Sequence, residues 1–402
     1  MVANDFAKQR RRITPRPDWE AAVKALGFDF ATIDGLPYWD EGVCWRLTGA
    51  QVDALDDAAA ELHAMCLDAV RDVIDTHQLG RFGITGAWAE EVRESWRRGL
   101  VADRPGGHVH GRFDLAYDGE TIKLLEYNAD TPTSLFEAGI VQWYWKEACH
   151  PGADQFNSLH EKLVARWAEL LTGAPRAADG QRWLHGMAQV PHPEDETTVR
   201  YMLACAEEAG WRTHFLGVAD IGWDDFRRRF VDLENQPITT AFKLYPWEWL
   251  AKEEFFQNLR VAATRWIEPA WKSVLSNKAL LAVLWERHPE HPLLLPASFD
   301  RRALSPAKGL VRKPLLGREG ANIALFDADG KQVLATDGLY GDEGHVWQER
   351  APMAAWRDNN GDTGTAVFGV WVIGNETAGL GIREDQGLIT RDSSRFVPHY
   401  FE

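Results

Sequence analysis

The chain has 402 residues, 45% hydrophobic and 26% charged, with 60 acidic against 44 basic side chains and a formal net charge of −16. That length permits two or three lobes around a large core, and the acidic balance argues against a nucleic-acid binder, which carries a basic stripe. No stretch approaches the roughly 18 consecutive apolar residues of a membrane span, and Cys44, Cys66, Cys149 and Cys205 form no CxxC, so neither a zinc framework nor a disulfide scaffold is expected.

Residues 1–18 are polar and basic, with Pro15 and Pro17, and read as a loose arm or a wrapped leader without a signal core. Together with reduced cysteines this points to a cytoplasmic protein. Over 51–77, Leu55, Leu62, Met65, Cys66, Ala69 and Val70 trace a helical stripe. A second helix is expected over 86–98, a Gly/Pro-rich break near 105–111, then a hairpin. Helices follow over 137–148 and 156–172, a loop-rich stretch over 173–194, a helix over 197–209 and a strand over 215–219. Residues 240–250 combine a strand with a Pro-broken aromatic turn. The remaining expectations are an amphipathic helix over 277–289, a strand–turn–strand over 309–330, and a buried strand over 366–373 that turns and returns through GLGIRE.

The hairpin concentrates the chemistry. Asp118-Gly119 marks its turn between GRFDLAY and TIKLLEYNAD. A three-residue loop of Asp118, Gly119 and Glu120 sets Arg112 opposite Glu126 and Asp114 opposite Leu124. Arg112, Asp114, Glu126 and Asn128 then share a face, whereas a two-residue loop sends the two strands' polar sets to opposite faces. Asp114, Glu126 and Asn128 offer the oxygen ligands that magnesium prefers, with Arg112 beside the phosphates such an ion accompanies. The competing reading is a structural network, with Arg112 pairing Glu126 across the hairpin. Asp130, Thr131, Thr133 and Glu137 either recognise substrate or belong to the start of the next helix, where Thr133 or Ser134 is placed to cap.

No GxxxxGK[ST] is present. RKPLLGREGAN instead places Lys313 ahead of a turn with Gly317, Arg318 and Gly320, which is either a phosphate cradle of successive backbone N–H groups or a tight hairpin turn. Lys278, in SNKALL, is either a phosphate contact or a solvated helical lysine. Arg383 ends the apolar GLGI run and needs a partner. His63, His108, His110 and His399 form no local metal motif and read as structural.

Taken together, DGLPYWDEGVCWRLT, GRFDLAYDGETIKLLEYNADTPTSLFEAG, SNKALLAVLWERHP, RKPLLGREGAN and AGLGIREDQGLITRDSSRFVPH resemble the glutathionylspermidine synthase-like family of the ATP-grasp superfamily over nearly the whole chain. The resemblance implies an α+β, ATP-grasp-like fold with antiparallel sheets and nucleotide bound between lobes. It implies one synthetase over 1–402, with a metal-site lobe over 19–195, a substrate-side region over 196–270 and a nucleotide-binding, catalytic region over 271–402. It further implies an ATP-dependent carbon–nitrogen ligase that joins a glutathione-like carboxylate to spermidine or a related polyamine through an acyl phosphate. ATP and Mg2+ are the implied cofactors. Matched positions make Asp114, Glu126 and Asn128 metal ligands and Arg112 and Arg383 catalytic. Lys278, Lys313, Gly317, Arg318, Gly320, Gln348 and Glu349 fall on the nucleotide, and Asp130, Thr131, Thr133 and Glu137 on substrate. Small peptide and amine substrates are expected, with no nucleic acid, membrane or obligate protein partner. The separate amidase of bifunctional relatives is not expected. A ligase for another peptide and amine, and a noncatalytic ATP- or peptide-binding protein, are the alternatives.

Overall fold

The computed structural model describes residues 5–33, 35–101, 107–357, 361–391 and 394–402, and part of the break expected near 105–111 lies outside them. Its architecture is α+β. Among the described residues, three sheets have four or more strands. The central sheet is antiparallel and runs Ile122–Asn128, His110–Tyr117, Thr363–Ile373, Glu376–Asp385, Arg395–Val397, with Ala354–Arg357 pairing the outer half of Thr363–Ile373. It therefore draws the hairpin from one expected subregion and the rest from another. A second antiparallel sheet runs Ala297–Ser298, His345–Glu349, Leu310–Pro314, Ala324–Phe326, Gln332–Ala335.

The third sheet departs from the antiparallel expectation. Arg265–Ile267, Thr240–Leu244, Trp183–Ala188 and Arg212–Gly217 are all parallel. Trp183–Ala188 falls in the stretch expected to be loop-rich. Its residues beyond Trp183 are all buried, so it lacks the polar alternation that announces a half-exposed strand. Helix Pro193–Glu208 is the crossover that a parallel neighbour requires.

Helix Gly49–Asp75 is started by a capping box, in which Thr48 Oγ1 accepts from Gln51 N and Gln51 Oε1 accepts from Thr48 N. The expected stripe of Leu55, Leu62, Met65, Cys66, Ala69 and Val70 is buried, in one core with Phe113, Leu115, Phe368 and Val370 of the central sheet. At about 2 kcal/mol per buried leucine, that face holds the helix on the sheet. A second core holds Trp371 and Ile373 of the central sheet together with Phe242 of the parallel sheet, Trp145 and Trp167, and Trp167 meets Phe242 edge to face. The leader is wrapped from residue 5 onward: Phe6 packs on Trp45 and Tyr117, Arg10–Arg12 pairs with Val43–Leu47, and Arg10 Nε donates to Glu384 at 2.7 Å. All four cysteines are unpaired, and no described helix is long and apolar enough to cross a membrane.

Candidate active site

The hairpin pairs Arg112 with Asn128 and Asp114 with Glu126, then slips so that Leu115 faces Leu124. The expected three-residue loop is therefore wrong. Tyr117 pairs with Ile122, leaving residues 118–121 in the turn, where Asp118 Oδ1 accepts from Glu120 N and Thr121 N at 3.1 and 2.7 Å. Leu125 bulges out of the ladder opposite the Asp114/Leu115 step. The extra loop residue and the bulge each shift the register by one. Because side chains alternate with a period of two, the two shifts cancel in parity and the polar set keeps a single face. The bulge also frees the Leu125 carbonyl, which accepts from Lys313 Nζ at 2.8 Å.

On that face the polar groups form one connected cluster. Arg112 clasps Asp114 through Nε at 2.6 Å and Nη2 at 3.0 Å, and Nη1 donates to the Thr133 carbonyl at 2.6 Å. Asn128 Nδ2 bridges Asp114 and Glu126 at 3.0 and 3.1 Å. Lys278, 152 residues from Glu126 in the sequence, reaches Glu126 at 2.8 Å and the Gly317 carbonyl at 2.5 Å. It is buried at the start of helix Ala279–Arg287, so the solvated-lysine reading falls. Burial alone would raise the Glu126 pKa, but Lys278 and Lys313 outweigh it and hold it at about 2. Burial depresses Lys313 to about 8 despite Glu126.

The glycine turn is internally hydrogen-bonded. Leu316, Gly317 and Ala321 donate their N–H groups to Glu343, Pro314 and Arg318. Gly320 sits at φ +72°, where a Cβ would meet the Thr390 carbonyl at 2.5 Å, so glycine is required for both conformation and close approach. Arg318 donates to Thr131 Oγ1 at 2.5 Å and lies 3.7 Å from Glu248. Gln348 is buried. Its Oε1 accepts from Lys313 at 2.9 Å and its Nε2 donates to the Leu124 carbonyl at 3.1 Å. Gly369 forms the floor under Arg112, with a Cβ there lying 3.0 Å from Arg112 Cδ. Arg383, two strands from Asp114 in the sheet, donates to the Arg391 and Ser394 carbonyls.

Two of the expected substrate residues point elsewhere. Asp130 is buried, with Oδ1 accepting from Lys243 at 2.5 Å and Oδ2 from Trp247 N at 2.9 Å. Glu137 is fully buried; Oε1 accepts from Tyr38 at 2.8 Å while Oε2 has no partner. Burial first and Glu194 second raise its pKa to about 8. Ser134 does not cap the helix. It takes φ +67°, and its hydroxyl meets that of Tyr38 at 3.2 Å.

Two cavities meet at this cluster. One, of about 130 Å³, is lined by Leu125, Val311, Lys313, Ile323, Leu325, Gln348 and Glu349. The other, of about 140 Å³, is lined by Arg112, Asn128, Thr131, Thr133, Arg318 and Arg383, and also by Glu194, Asp195 and Glu319. Asp114, Glu126, Gly320 and Thr390 line both. A larger cavity of about 740 Å³, beside Arg98, Arg166 and Arg265, holds none of these groups. The sequence reading missed Glu194 and Asp195. They sit in PHPEDE, where acids suit the first turn of a helix, and nothing local aims them at a cleft.

In overall fold the molecule resembles a glutathione synthetase-like effector from Globodera pallida, with a TM-score of 0.58 at 10% identity, covering all of both chains. Both share an α+β fold. Residues 10–402 match the family described as glutathionylspermidine synthase preATP-grasp, and the chain belongs to that family. It is 40% identical over 398 residues to a Haemophilus influenzae protein named "Putative acid--amine ligase", covering 96% of this chain and 97% of that one. It is 28% identical to the trypanothione synthetase of Crithidia fasciculata and 26% identical to the bifunctional glutathionylspermidine synthetase/amidase of Escherichia coli. Those alignments cover 84% and 88% of this chain but only 53% and 58% of the relatives. The protein is thus an ATP-dependent, amide-forming ligase by family.

Proposed function

We propose that this ligase activates a glutathione-like peptide carboxylate as an acyl phosphate and transfers the acyl group to spermidine or a related polyamine. The observation that carries the reading is the wall of Asp114 and Glu126 between two cavities, one largely apolar and one charged. The Leu125–Val311–Leu325 cavity, with Gln348 and Glu349, would hold the base of ATP. Lys313, Lys278 and the turn of Gly317, Arg318 and Gly320 would hold its phosphates. Peptide and amine enter the cavity of Thr131, Thr133 and Arg318.

The donor set fits a hard dication. Asn128 Nδ2 now stands between the two carboxylates, where a cation relieves the same repulsion. When bound at Asp114, Glu126 and Asn128, magnesium supplies neutralisation of phosphate charge. In the first step, a carboxylate oxygen of the peptide attacks the terminal phosphorus of ATP and ADP leaves. Arg112 and Arg383 offset charge on the transferring group. In the second, an uncharged amine nitrogen attacks the acyl carbon, inorganic phosphate leaves, and the nitrogen gives up a proton. Glu194, Asp195 and Glu319 give the second cavity an acidic wall suited to the remaining ammonium groups. Asp130 supports the site from behind by fixing Lys243 and the Trp247 backbone.

Purified protein incubated with ATP, Mg2+, glutathione and a polyamine panel should form an amide, seen by mass spectrometry, with one ADP per product. The absence of substrate-dependent ADP across broad peptide and amine panels overturns the reading. An amide formed from another peptide or amine redirects only the substrate assignment.

A further inference from the structure

We infer that a second metal site, for a borderline dication of the zinc class, lies on the parallel sheet at His214, Asp232 and Glu234, with His185 as its support. Nothing in the ligase chemistry uses these residues, and the inference stands apart from the substrate assignment. The sheet register brings the histidines together: Trp183–Ala188 and Arg212–Gly217 are adjacent parallel strands, and His185 is the Cα partner of His214. Side chains in register on neighbouring strands share a face, and here the rings meet edge to face, their centroids 5.7 Å apart.

The carboxylates come from the loop after strand Arg229–Val231. That loop is tightly closed, with Asp232 N donating to the Gln236 carbonyl at 3.0 Å and Asn235 N to the Asp232 carbonyl at 3.0 Å. Asp232 Oδ1 accepts from Glu234 N at 3.0 Å and Gln236 N at 2.7 Å. Its orientation is therefore set by backbone, and Oδ2 is turned toward His185 Nε2 at 3.6 Å, beyond hydrogen-bond reach. Glu234 Oε2 lies 4.0 Å from His214 Nε2. One ligand atom from each of His214, Asp232 and Glu234 falls within 4.8 Å of the other two. Bonds of about 2.0–2.2 Å to one ion require these atoms to draw together by roughly an ångström. Glu234 is 65% exposed on its side chain and His214 39%, so both have the freedom to do so.

An independent sign comes from His185. It is 3% exposed and lines the same cavity of about 400 Å³ as the other three, and its Nδ1 has no hydrogen-bond partner while Nε2 faces Asp232 Oδ2 at 3.6 Å. Leaving a buried imidazole unsatisfied costs free energy. Asp232 Oδ2 already faces His185 Nε2, the carboxylate–histidine arrangement that supports a metal site. One imidazole with two carboxylates and an open fourth position suits zinc better than magnesium, which prefers oxygen alone. The ion would clasp the 232–236 loop onto the sheet.

The test uses tag-free, chelator-stripped protein titrated with Zn2+ in excess Mg2+, read by competition with a chromophoric chelator, and with Co2+ read by visible absorption. The expected result is one equivalent of Zn2+ per chain, with at least tenfold weaker binding in His214→Ala and in Glu234→Ala. Both residues are partly exposed, so these variants should fold, as circular dichroism would verify. A rise in Tm with Zn2+ in the wild type, lost in both variants, supports the clasp. No binding, or binding undiminished in both folded variants, overturns the inference.

Discussion

Strand His110–Tyr117 carries two charge clusters two residues apart, and they differ in one respect. Around His110, Glu268 accepts from Val109 N, His110 N and His110 Nδ1 at 2.9, 3.0 and 2.8 Å and pairs with Lys272, which also donates to the His110 carbonyl. Every charge there has its partner inside the protein, and Glu268 and Lys272 are fully buried. Around Arg112, acids and bases also pair, but Asp114 and Glu126 line cavities on both sides. A closed network balances its own desolvation. An open one is balanced provisionally, by an amide and two lysines that a ligand can recruit.

The contrast predicts opposite failures. Glu126→Gln should lower turnover by about a thousandfold, on the scale of losing a charge-stabilising group, while Tm stays within a few degrees by calorimetry. Unfolding comparable to that of a core mutant would place Glu126 in a structural network. Glu268→Gln should do the reverse, removing about 3–5 kcal/mol of stability in urea by breaking a buried pair, with kcat retained in the folded fraction.

The pH dependence of Lys313 sharpens the comparison. Its pKa of about 8 means that above this pH Lys313 loses its charge in the free enzyme, the charge that the proposed function sets against phosphate. ATP KM should rise with pH above about 8, approaching tenfold per unit, and Lys313→Arg should abolish the rise. The stability sign is opposite: a lowered amine pKa means folding disfavours the charged form, so stability should increase as pH climbs from about 8 toward the unfolded value of about 10.5. Gly369→Ala should press on Arg112 and lower kcat severalfold with little change in ATP KM, read by steady-state kinetics.

The smallest effect is expected at Glu137. A carboxyl raised to about 8 by burial binds its proton more tightly folded than unfolded, so stability should fall as pH rises from about 4.5 to 8. Glu137→Gln should flatten that slope in denaturant titrations.

Much of this was legible along the chain. Alternation in GRFDLAY and TIKLLEYN announced a hairpin, and a period of two put Arg112 with Asp114, and Glu126 with Asn128, on one face of each strand; that the two faces coincide depends on the turn and the bulge together. The stripe of helix Gly49–Asp75 was legible for the same reason, because its periodicity lies within a few turns of chain. The register was not legible, since the Leu125 bulge is stabilised by Lys313 from 188 residues away. Nor was the fate of Asp130, whose cation arrives from 113 residues off.

Local patterning thus decided which residues line one face of a strand or helix, because sterics and side-chain period act between near neighbours. Packing between distant segments decided which of those faces stay open to a cleft. It buried Lys278 against Glu126, closed Asp130 against Lys243, and set His185 beside His214 on parallel strands. Each of those pairings exists only when the sheets and helices have assembled, and so no window of the sequence contains it.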